Sequence, residues 1–368
     1  MLNLRITAIA NIEHPINLQT VYKILVLLLS CLLWQTSHAD TFYPADNGYF
    51  EYVGRIDFSR PATPRFWAPG VYVTARFKGP RCEIVLNDEM LYGTSHNYVS
   101  IIIDNKPPLR QQLLGKSDTI RLHQGLNDGP HTIVICKNTE AGIGYLEFAG
   151  LRCQELLPLP VSPVRKIEFI GNSITCGSGS DQSAKPCGQG EWYDQHNAWQ
   201  SYGALTARKL NAQWQLSSVS GIGLIHSCCG MSLTMPQVFD KVNMHRDSIP
   251  WDFANYQPDV VAVTLGENDG PQDSTRFCQA YVGFLKKLRT YYPAASIICI
   301  DSPMADPAFS PVLQRYITAV VAATQDKKVS KYFYNRKYQN GCGGHPDLAG
   351  HQLMANELTT YIKKLKRW

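Results

Sequence analysis

One serine in this chain lies where it would be exposed for chemistry. Ser173 belongs to the heptapeptide G-N-S-I-T-C-G, which directly follows a short apolar run at residues 166–170. Glycines beside a serine at the tip of a strand let backbone N–H groups approach a substrate closely. A serine hydroxyl is a poor nucleophile until a base lies within hydrogen-bond reach. The segment therefore predicts the nucleophile of an acyl-transfer site, provided that the rest of the chain supplies that base.

The best candidate for the base is His345, in the glycine-rich sequence G-G-H-P just before the last helical pattern. A neutral imidazole can take the serine proton near physiological pH. His226, close to a Cys-Cys-Gly sequence, is the second choice. His351 lies within the last helical pattern, and we interpret it as a structural residue.

Two further segments offer donors for the negative charge that forms on the carbonyl oxygen in the transition state. Asn268, in the sequence G-E-N-D, follows an apolar run and can donate through its side-chain amide. Gly221, in the sequence S-G-I-G, can donate its backbone N–H, and the N–H of Ser173 would be a third donor. Each segment alone is also ordinary turn chemistry. Together they predict an oxyanion hole.

The second half of the chain predicts a frame that brings these residues together. Strand-like runs alternate there with helical stretches, a pattern typical of a parallel sheet covered by helices on both faces. Ligands of such sheets bind beyond the carboxyl ends of the strands, where Ser173, Gly221, Asn268 and Asp301 would lie. The predicted strands are 166–170, 213–219, 259–265 and 296–301, and the predicted helices are 197–210, 273–291, 309–325 and 348–366.

The first half predicts a β-sandwich, of jelly-roll type. Short runs rich in Val, Ile, Tyr and Phe recur there between turn residues, and long helical patterns are missing. A proline-rich stretch then marks a linker. The predicted organisation is a signal peptide at 1–39, the β-sandwich at 40–157, the linker at 158–164 and the α/β domain at 165–368.

The N-terminus predicts export. Lys23 precedes an apolar run at 24–34 that has the length of a signal peptide and is too short to span a bilayer. The sequence Ser-His-Ala then predicts cleavage before Asp40. Lipid attachment at Cys31 is the alternative, disfavoured because the apolar run continues past it. We therefore expect a secreted or periplasmic protein with no stable membrane insertion after cleavage.

Composition excludes several other classes of protein. The net charge of +5 is small and dispersed, and no nucleic-acid-binding module accompanies it, so we expect no nucleic-acid partner. Neither C-x-x-C nor H-E-x-x-H occurs, so we expect no metal site.

The cysteines predict disulfides. Ten remain after signal cleavage, an even number that suits an exported protein. Cys176 and Cys187 bracket the loop after the serine and are the favoured pair, and Cys82 is expected to bond either Cys136 or Cys153. Buried free thiols are expected for two others, namely Cys278 and Cys299.

The four segments together resemble the SGNH (GDSL-like) hydrolases, whose sequence blocks run in the order Ser, Gly, Asn, His. The closer resemblance is to carbohydrate esterase family two, deacetylases in which a β-sandwich precedes an SGNH domain. It rests on G-N-S-I-T-C-G, L-G-E-N-D, G-H-P-D-L-A-G-H, N-A-W-Q-S-Y-G-A-L-T-A-R-K-L-N-A at 197–212 and W-D-F-A-N-Y-Q-P-D-V-V at 251–261.

This resemblance implies a serine esterase that removes O-acetyl groups from oligo- or polysaccharides such as xylan or glucomannan. Ser173 and His345 would be catalytic and would work through an acetyl-serine intermediate. The N–H groups of Ser173 and Gly221 and the amide of Asn268 would form the oxyanion hole. Neither a metal nor an organic cofactor is implied.

The chain departs from the family pattern beside the histidine. SGNH enzymes usually carry an Asp two or three residues before it, where this chain has Gly343 and Cys342. Loss of an orienting carboxylate costs on the order of ten-thousandfold in rate, so something must replace it. We favour a Ser–His dyad whose imidazole is held by a backbone carbonyl, which the resemblance to this esterase family also allows. Asp301 is an alternative, and Asp347 is expected to cap the last helix.

Aromatic residues near the predicted site offer surfaces on which sugar rings could stack. Trp192 and Tyr193 follow the serine loop and are the better candidates, and Trp199 is a third. Buried packing is the alternative for all three and the favoured interpretation for Trp251. Three competing functions stay open: an esterase for longer acyl chains, a deacetylase of bacterial envelope glycans, and a non-catalytic carbohydrate-binding protein.

Overall fold

A computed structural model describes residues 39–368 together with residues 17, 19 and 21–23. The apolar run of the predicted signal peptide lies outside the described residues. Residues 41–368 form one compact unit. Among the helices described, none has the length and apolar character needed to cross a bilayer.

The first part of this unit is an antiparallel sheet organised by one long strand, β4. Apolar side chains alternate with partly exposed ones along β4, as expected for a strand with one buried face. A register shift against β9 between Lys78 and Cys82 divides the strand. Its first half pairs with β2 and β8 and its second half with β7, whereas β9 pairs with residues on both sides of the shift. The strands are β1 (Thr41–Pro44), β2 (Glu51–Val53), β3 (Arg65–Phe66), β4 (Tyr72–Asp88), β5 (Tyr98–Ile103), β6 (Leu109–Gln112), β7 (Ser117–Leu122), β8 (Pro130–Lys137) and β9 (Leu146–Leu157).

The second part is a five-stranded sheet with the order β11-β10-β14-β15-β16, in which every neighbouring pair is parallel. Its strands are β10 (Arg165–Gly171), β11 (Ala212–Ser218), β14 (Val260–Thr264), β15 (Ser296–Ile300) and β16 (Val329–Tyr332), and β12 (Lys241–Asn243) pairs with β13 (Ser248–Pro250) in a separate ribbon. The α-helices are Ser173–Cys176, Tyr202–Lys209, Met235–Val238, Ser274–Tyr291, Ser310–Thr324 and Leu348–Lys366.

Helices cover both faces of the parallel sheet. Since successive side chains of each strand point to opposite faces, neighbouring residues pack into different cores. Phe169 belongs to the core that includes Met354 of the last helix, whereas its neighbour Ile170 belongs to the core that includes Phe277 and Leu313. The predicted α/β fold with a preceding β domain is confirmed. Strand β16 was not predicted from the sequence, since its four residues include a serine and a lysine.

The two sheets share a hydrophobic core. Tyr72 of β4 stacks on Trp214 of β11 with ring centroids 4.1 Å apart, and the Trp214 indole N–H donates to the Gly70 carbonyl at 3.0 Å. Arg55 is fully buried, forms a 3.0 Å ion pair with Glu168 of β10, and donates to backbone carbonyls of the α/β part. This packing fixes the loops of the antiparallel sheet beside the parallel one.

Candidate active site

Ser173 and His345 are in direct contact. Ser173 begins the four-residue helix that follows β10, and the side chain of Asn172 caps that helix by accepting from the Ile174 N–H. The Ser173 Oγ lies 2.8 Å from His345 Nε2, and His345 Nδ1 lies 3.0 Å from the Cys342 carbonyl oxygen. Because a carbonyl can only accept, Nδ1 must carry the proton, which leaves Nε2 free to accept from the serine.

The backbone carbonyl of Cys342 thus holds the imidazole, as the sequence analysis favoured. Asp301 does not: its carboxylate accepts from Gln314 Nε2 at 2.7 Å and from the Tyr334 N–H at 3.0 Å. Asp347 caps the last helix, as expected, by accepting from the Gly350 N–H.

Two other histidines were considered in the sequence analysis, His351 and His226, and they differ in burial. His351 is buried, and its Nδ1 accepts from the Tyr202 N–H at 3.1 Å. Burial lowers the pKa of His351 to about 3, so the ring stays neutral, which confirms its structural interpretation. His226, the second choice for the base, is exposed and does not line the cavity that contains Ser173.

The environment of His345 predicts the acid limit of activity. Burial lowers the pKa of His345 below its ordinary value of 6.5, although the Cys342 carbonyl and nearby Glu140 oppose the shift. The neutral ring is the active base, so kcat/KM should fall as the pH drops through this lowered pKa, with a midpoint below pH 6.5. A pH profile of kcat/KM on 4-nitrophenyl acetate measures the midpoint. A midpoint at or above pH 6.5 would contradict this environment.

Asn268 and its neighbour Asp269 hold the loop that carries Gly221. Asn268 Nδ2 donates one hydrogen to the Ile222 carbonyl at 3.0 Å, which leaves its second hydrogen for another acceptor. The Asp269 carboxylate accepts from three successive backbone N–H groups at residues 224–226. Gly221 has a φ of +80°, and a Cβ there would lie 3.0 Å from Cys228 Sγ. A side chain at this position would therefore be strained.

One cavity of about 500 Å³ contains the dyad and the candidate donors. Its walls include Ser173, Gly221, Asn268, His345 and, from the loop after the serine, Trp192. In the part of the chain that the structure describes, no group of three or more His, Cys, Asp or Glu side chains is placed to hold a metal ion. The arrangement suits nucleophilic attack by serine with a prearranged site for the oxyanion.

The aromatic candidates divide into one cavity residue and two core residues. Trp192 is 52% exposed and packs edge-on against His196. Tyr193 is buried with Tyr98, and Trp199 is buried against the Arg208 guanidinium, 3.8 Å from its ring centre. The prediction of a sugar-stacking surface is therefore wrong for Tyr193 and Trp199, since neither lines the cavity. Trp251 is buried, as expected.

Two residues of the antiparallel part support the site, namely Arg110 of β6 and Glu140 of the loop between β8 and β9, and sequence reasoning missed both. Glu140 is buried, and its carboxylate accepts from the Ser220 N–H, directly before Gly221, at 2.6 Å. Arg110 donates to the carbonyls of Asp194 and His196 at 2.6 and 2.9 Å and so anchors the loop after the serine. Neither belongs to a motif, because both reach the site through the packing of the two sheets.

Both disulfides of the described residues border the cavity. Cys187 is bonded to Cys342, and Cys228 is bonded to its neighbour Cys229. The predicted Cys176–Cys187 pair is wrong: Cys176 is a free thiol that points inward, 3.3 Å from Ser218 Oγ.

The remaining cysteines lie in the two sheets and the helix Ser274–Tyr291. Cys136 is a buried free thiol, so a Cys82–Cys136 bond is also wrong. Cys82 and Cys153 lie directly opposite each other on β4 and β9. Cys299 is a buried free thiol, as expected, whereas the free thiol of Cys278 is only partly buried.

Two family models match the chain. The model described as Carbohydrate esterase 2 N-terminal matches residues 52–160, and the GDSL-like Lipase/Acylhydrolase family model matches residues 169–353. The chain is 34% identical to the cellulase/esterase CelE of Acetivibrio thermocellus over 88% of its own length, and it spans 40% of that relative's length. It is 29% identical to an acetylxylan esterase / glucomannan deacetylase of Cellvibrio japonicus, covering 88% of this chain and 91% of that one.

The comparison with solved structures also finds a family two carbohydrate esterase. A family two carbohydrate esterase from Clostridium thermocellum, in complex with cellohexaose, superposes with a TM-score of 0.78. It is 32% identical in sequence, and the match covers 87% of this chain and 99% of that one.

Proposed function

The chain belongs to carbohydrate esterase family two, and from this membership we propose that it is a serine esterase that removes O-acetyl groups from plant-type polysaccharides such as xylan or glucomannan. The contact between Ser173 Oγ and His345 Nε2 carries the proposal, because it supplies an activated nucleophile. An open cavity with an exposed tryptophan on its wall suits a carbohydrate. The names of the Cellvibrio relative and the cellohexaose complex support the substrate class.

The proposed mechanism is double displacement at the acetyl carbonyl. His345 Nε2 takes the proton of Ser173 as Oγ attacks the carbonyl carbon, and the oxyanion accepts from the N–H groups of Ser173 and Gly221 and the amide of Asn268. The C–O bond to the sugar breaks, and the sugar oxygen takes the proton from His345. Water then gives a proton to His345 and attacks the acetyl-serine, and acetic acid leaves as Ser173 Oγ recovers that proton. The released acid ionises to acetate in solvent.

Acetate release separates this function from its alternatives. The mature protein is assayed on acetylated xylan, acetylated glucomannan, 4-nitrophenyl acetate and 4-nitrophenyl butyrate. Release from a polysaccharide, with acetate preferred over butyrate, supports the proposal. A preference for butyrate would indicate an esterase for longer acyl chains, and no release from any substrate would leave the non-catalytic binding function.

Trp192 is proposed to contact the sugar. Because 4-nitrophenyl acetate carries no sugar, Trp192→Ala should raise KM for acetylated oligosaccharides by about tenfold, from a lost stacking contact of roughly 1–1.5 kcal/mol. KM for 4-nitrophenyl acetate should change much less. Trp368→Ala, at a partly exposed tryptophan outside the cavity, is the matched control. Equal changes in KM for both substrates would exclude a sugar contact at Trp192.

Export is part of the proposal. Two disulfides in one site suit an oxidising compartment, either the periplasm or the exterior of the cell. The proposed precursor has a signal peptide at 1–39, a β-sandwich at 40–157, a linker at 158–164 and a hydrolase domain at 165–368. The mass of protein recovered from those compartments should correspond to a chain that starts at Asp40. Recovery of the uncleaved chain from the cytoplasm alone would contradict export.

A further inference from the structure

We propose that the Cys187–Cys342 disulfide positions His345 and thereby replaces the orienting carboxylate that this chain lacks. The inference rests on the proposed esterase function. It concerns a positioning role, because the disulfide acts on the imidazole only through the backbone carbonyl of Cys342.

The first step of the argument is that one carbonyl sets the orientation of the ring. The Cys342 carbonyl accepts from His345 Nδ1 at 3.0 Å and from the His345 backbone N–H at 3.2 Å. Any movement of Cys342 therefore moves the partner of Nδ1 and changes the direction in which Nε2 faces Ser173. The required tautomer, with the proton on Nδ1, depends on the same contact.

The second step is that the segment around Cys342 has much conformational freedom of its own, because it is rich in glycine. Its neighbours Gly341, Gly343 and Gly344 lack side chains, and the last two are exposed and have φ values of +62° and +74°. Glycine loses more conformational freedom on ordering than any other residue. The Cys342 backbone N–H donates to the Gly179 carbonyl at 2.8 Å, and the disulfide is the covalent restraint on the segment.

The third step is that the other end of the disulfide is firmly held. Cys187 lies in an exposed loop, but Nε2 of the buried Gln195 lies 3.1–3.3 Å from three carbonyl oxygens of that loop, which share its two hydrogens. These carbonyls belong to Lys185, Pro186 and Gln189, on both sides of Cys187. The disulfide therefore connects a glycine-rich segment to a loop fixed on a buried side chain, across a Cα–Cα distance of 5.2 Å.

Three variants test the inference without removing the Cys342 carbonyl. Cys187→Ser and Cys187→Ser/Cys342→Ser break the disulfide and should lower kcat on 4-nitrophenyl acetate by about ten- to a hundredfold, the range expected when a reacting group is misplaced by up to an ångström. Cys187→Ser/Cys342→Asp also lacks the disulfide but has a carboxylate three residues before His345. It should recover kcat to within a few-fold of wild type.

The comparison among variants separates positioning from stability. All three lack the same disulfide, so all three should show a lower Tm, and only the aspartate variant should regain kcat. Wild-type kcat in Cys187→Ser, or an equal loss of kcat in all three variants, would overturn the positioning role. The wild-type enzyme in the same assay tests the proposed function separately, since an inactive wild type would contradict that function whatever the variants do.

Discussion

Ser173→Ala is expected to abolish turnover while the fold persists. The substitution removes the atom that forms the acetyl-enzyme, and loss of the nucleophile of a serine hydrolase lowers kcat on the order of a millionfold. The cost in stability should be small, because Ser173 is only partly buried and the contact of its hydroxyl is with His345. His345 keeps its second contact, the Cys342 carbonyl, in the variant.

Acetate release and thermal unfolding of the same preparations check this expectation. Ser180→Ala is a matched control, since Ser180 is a buried serine of the same loop whose hydroxyl donates to the Gly177 carbonyl. It should keep kcat within a few-fold of wild type. Retention of wild-type activity in Ser173→Ala would show that Ser173 is not the nucleophile.

Asn268→Ala should lower kcat by about a hundred- to a thousandfold, the usual cost of removing one side-chain donor from an oxyanion hole. The second amide hydrogen of Asn268 is the one available to the oxyanion, because the first is donated to the Ile222 carbonyl. Negative charge develops on the substrate only in the transition state, so KM should change little. Residual activity should remain, since the N–H groups of Ser173 and Gly221 are still present and Asp269 still holds the loop that carries Gly221.

Steady-state kinetics on 4-nitrophenyl acetate give the separate values of kcat and KM. Asn87→Ala is the control, because it also removes a partly buried amide that donates to one protein acceptor, in this case Glu147 on the antiparallel sheet. An unchanged kcat in Asn268→Ala would remove this residue from the oxyanion hole. A rise in KM with constant kcat would assign it to ground-state binding instead.

The sequence predicted the parts of the site that depend on local order along the chain. Ser173 and Asn268 lie two and four residues beyond the ends of β10 and β14, and the carboxyl ends of such parallel strands meet at one edge. The carbonyl partner of His345 was also predictable, because it lies only three residues away.

The features that the sequence analysis predicted wrongly or missed depend on contacts between distant segments. Cys187 and Cys342 are separated by 155 positions, so the shorter spacing to Cys176 was misleading. The sequence also did not predict the directions of neighbouring side chains, since Trp192 faces the cavity whereas Tyr193 faces the core. Glu140 lies in the loop between β8 and β9 of the antiparallel part, and no local pattern connects it with Ser220.

The ion pair between Arg55 and Glu168 limits how this enzyme can be divided for engineering. A chain that starts at residue 165 would keep the Glu168 carboxylate inside the parallel sheet but lose the guanidinium that neutralises it. Removing one partner of a buried pair costs about 3–5 kcal/mol, a large fraction of the stability of an ordinary domain. The same cut would expose Trp214, which loses its stacking partner Tyr72. Fusion proteins should therefore carry residues 41–368 as one cassette.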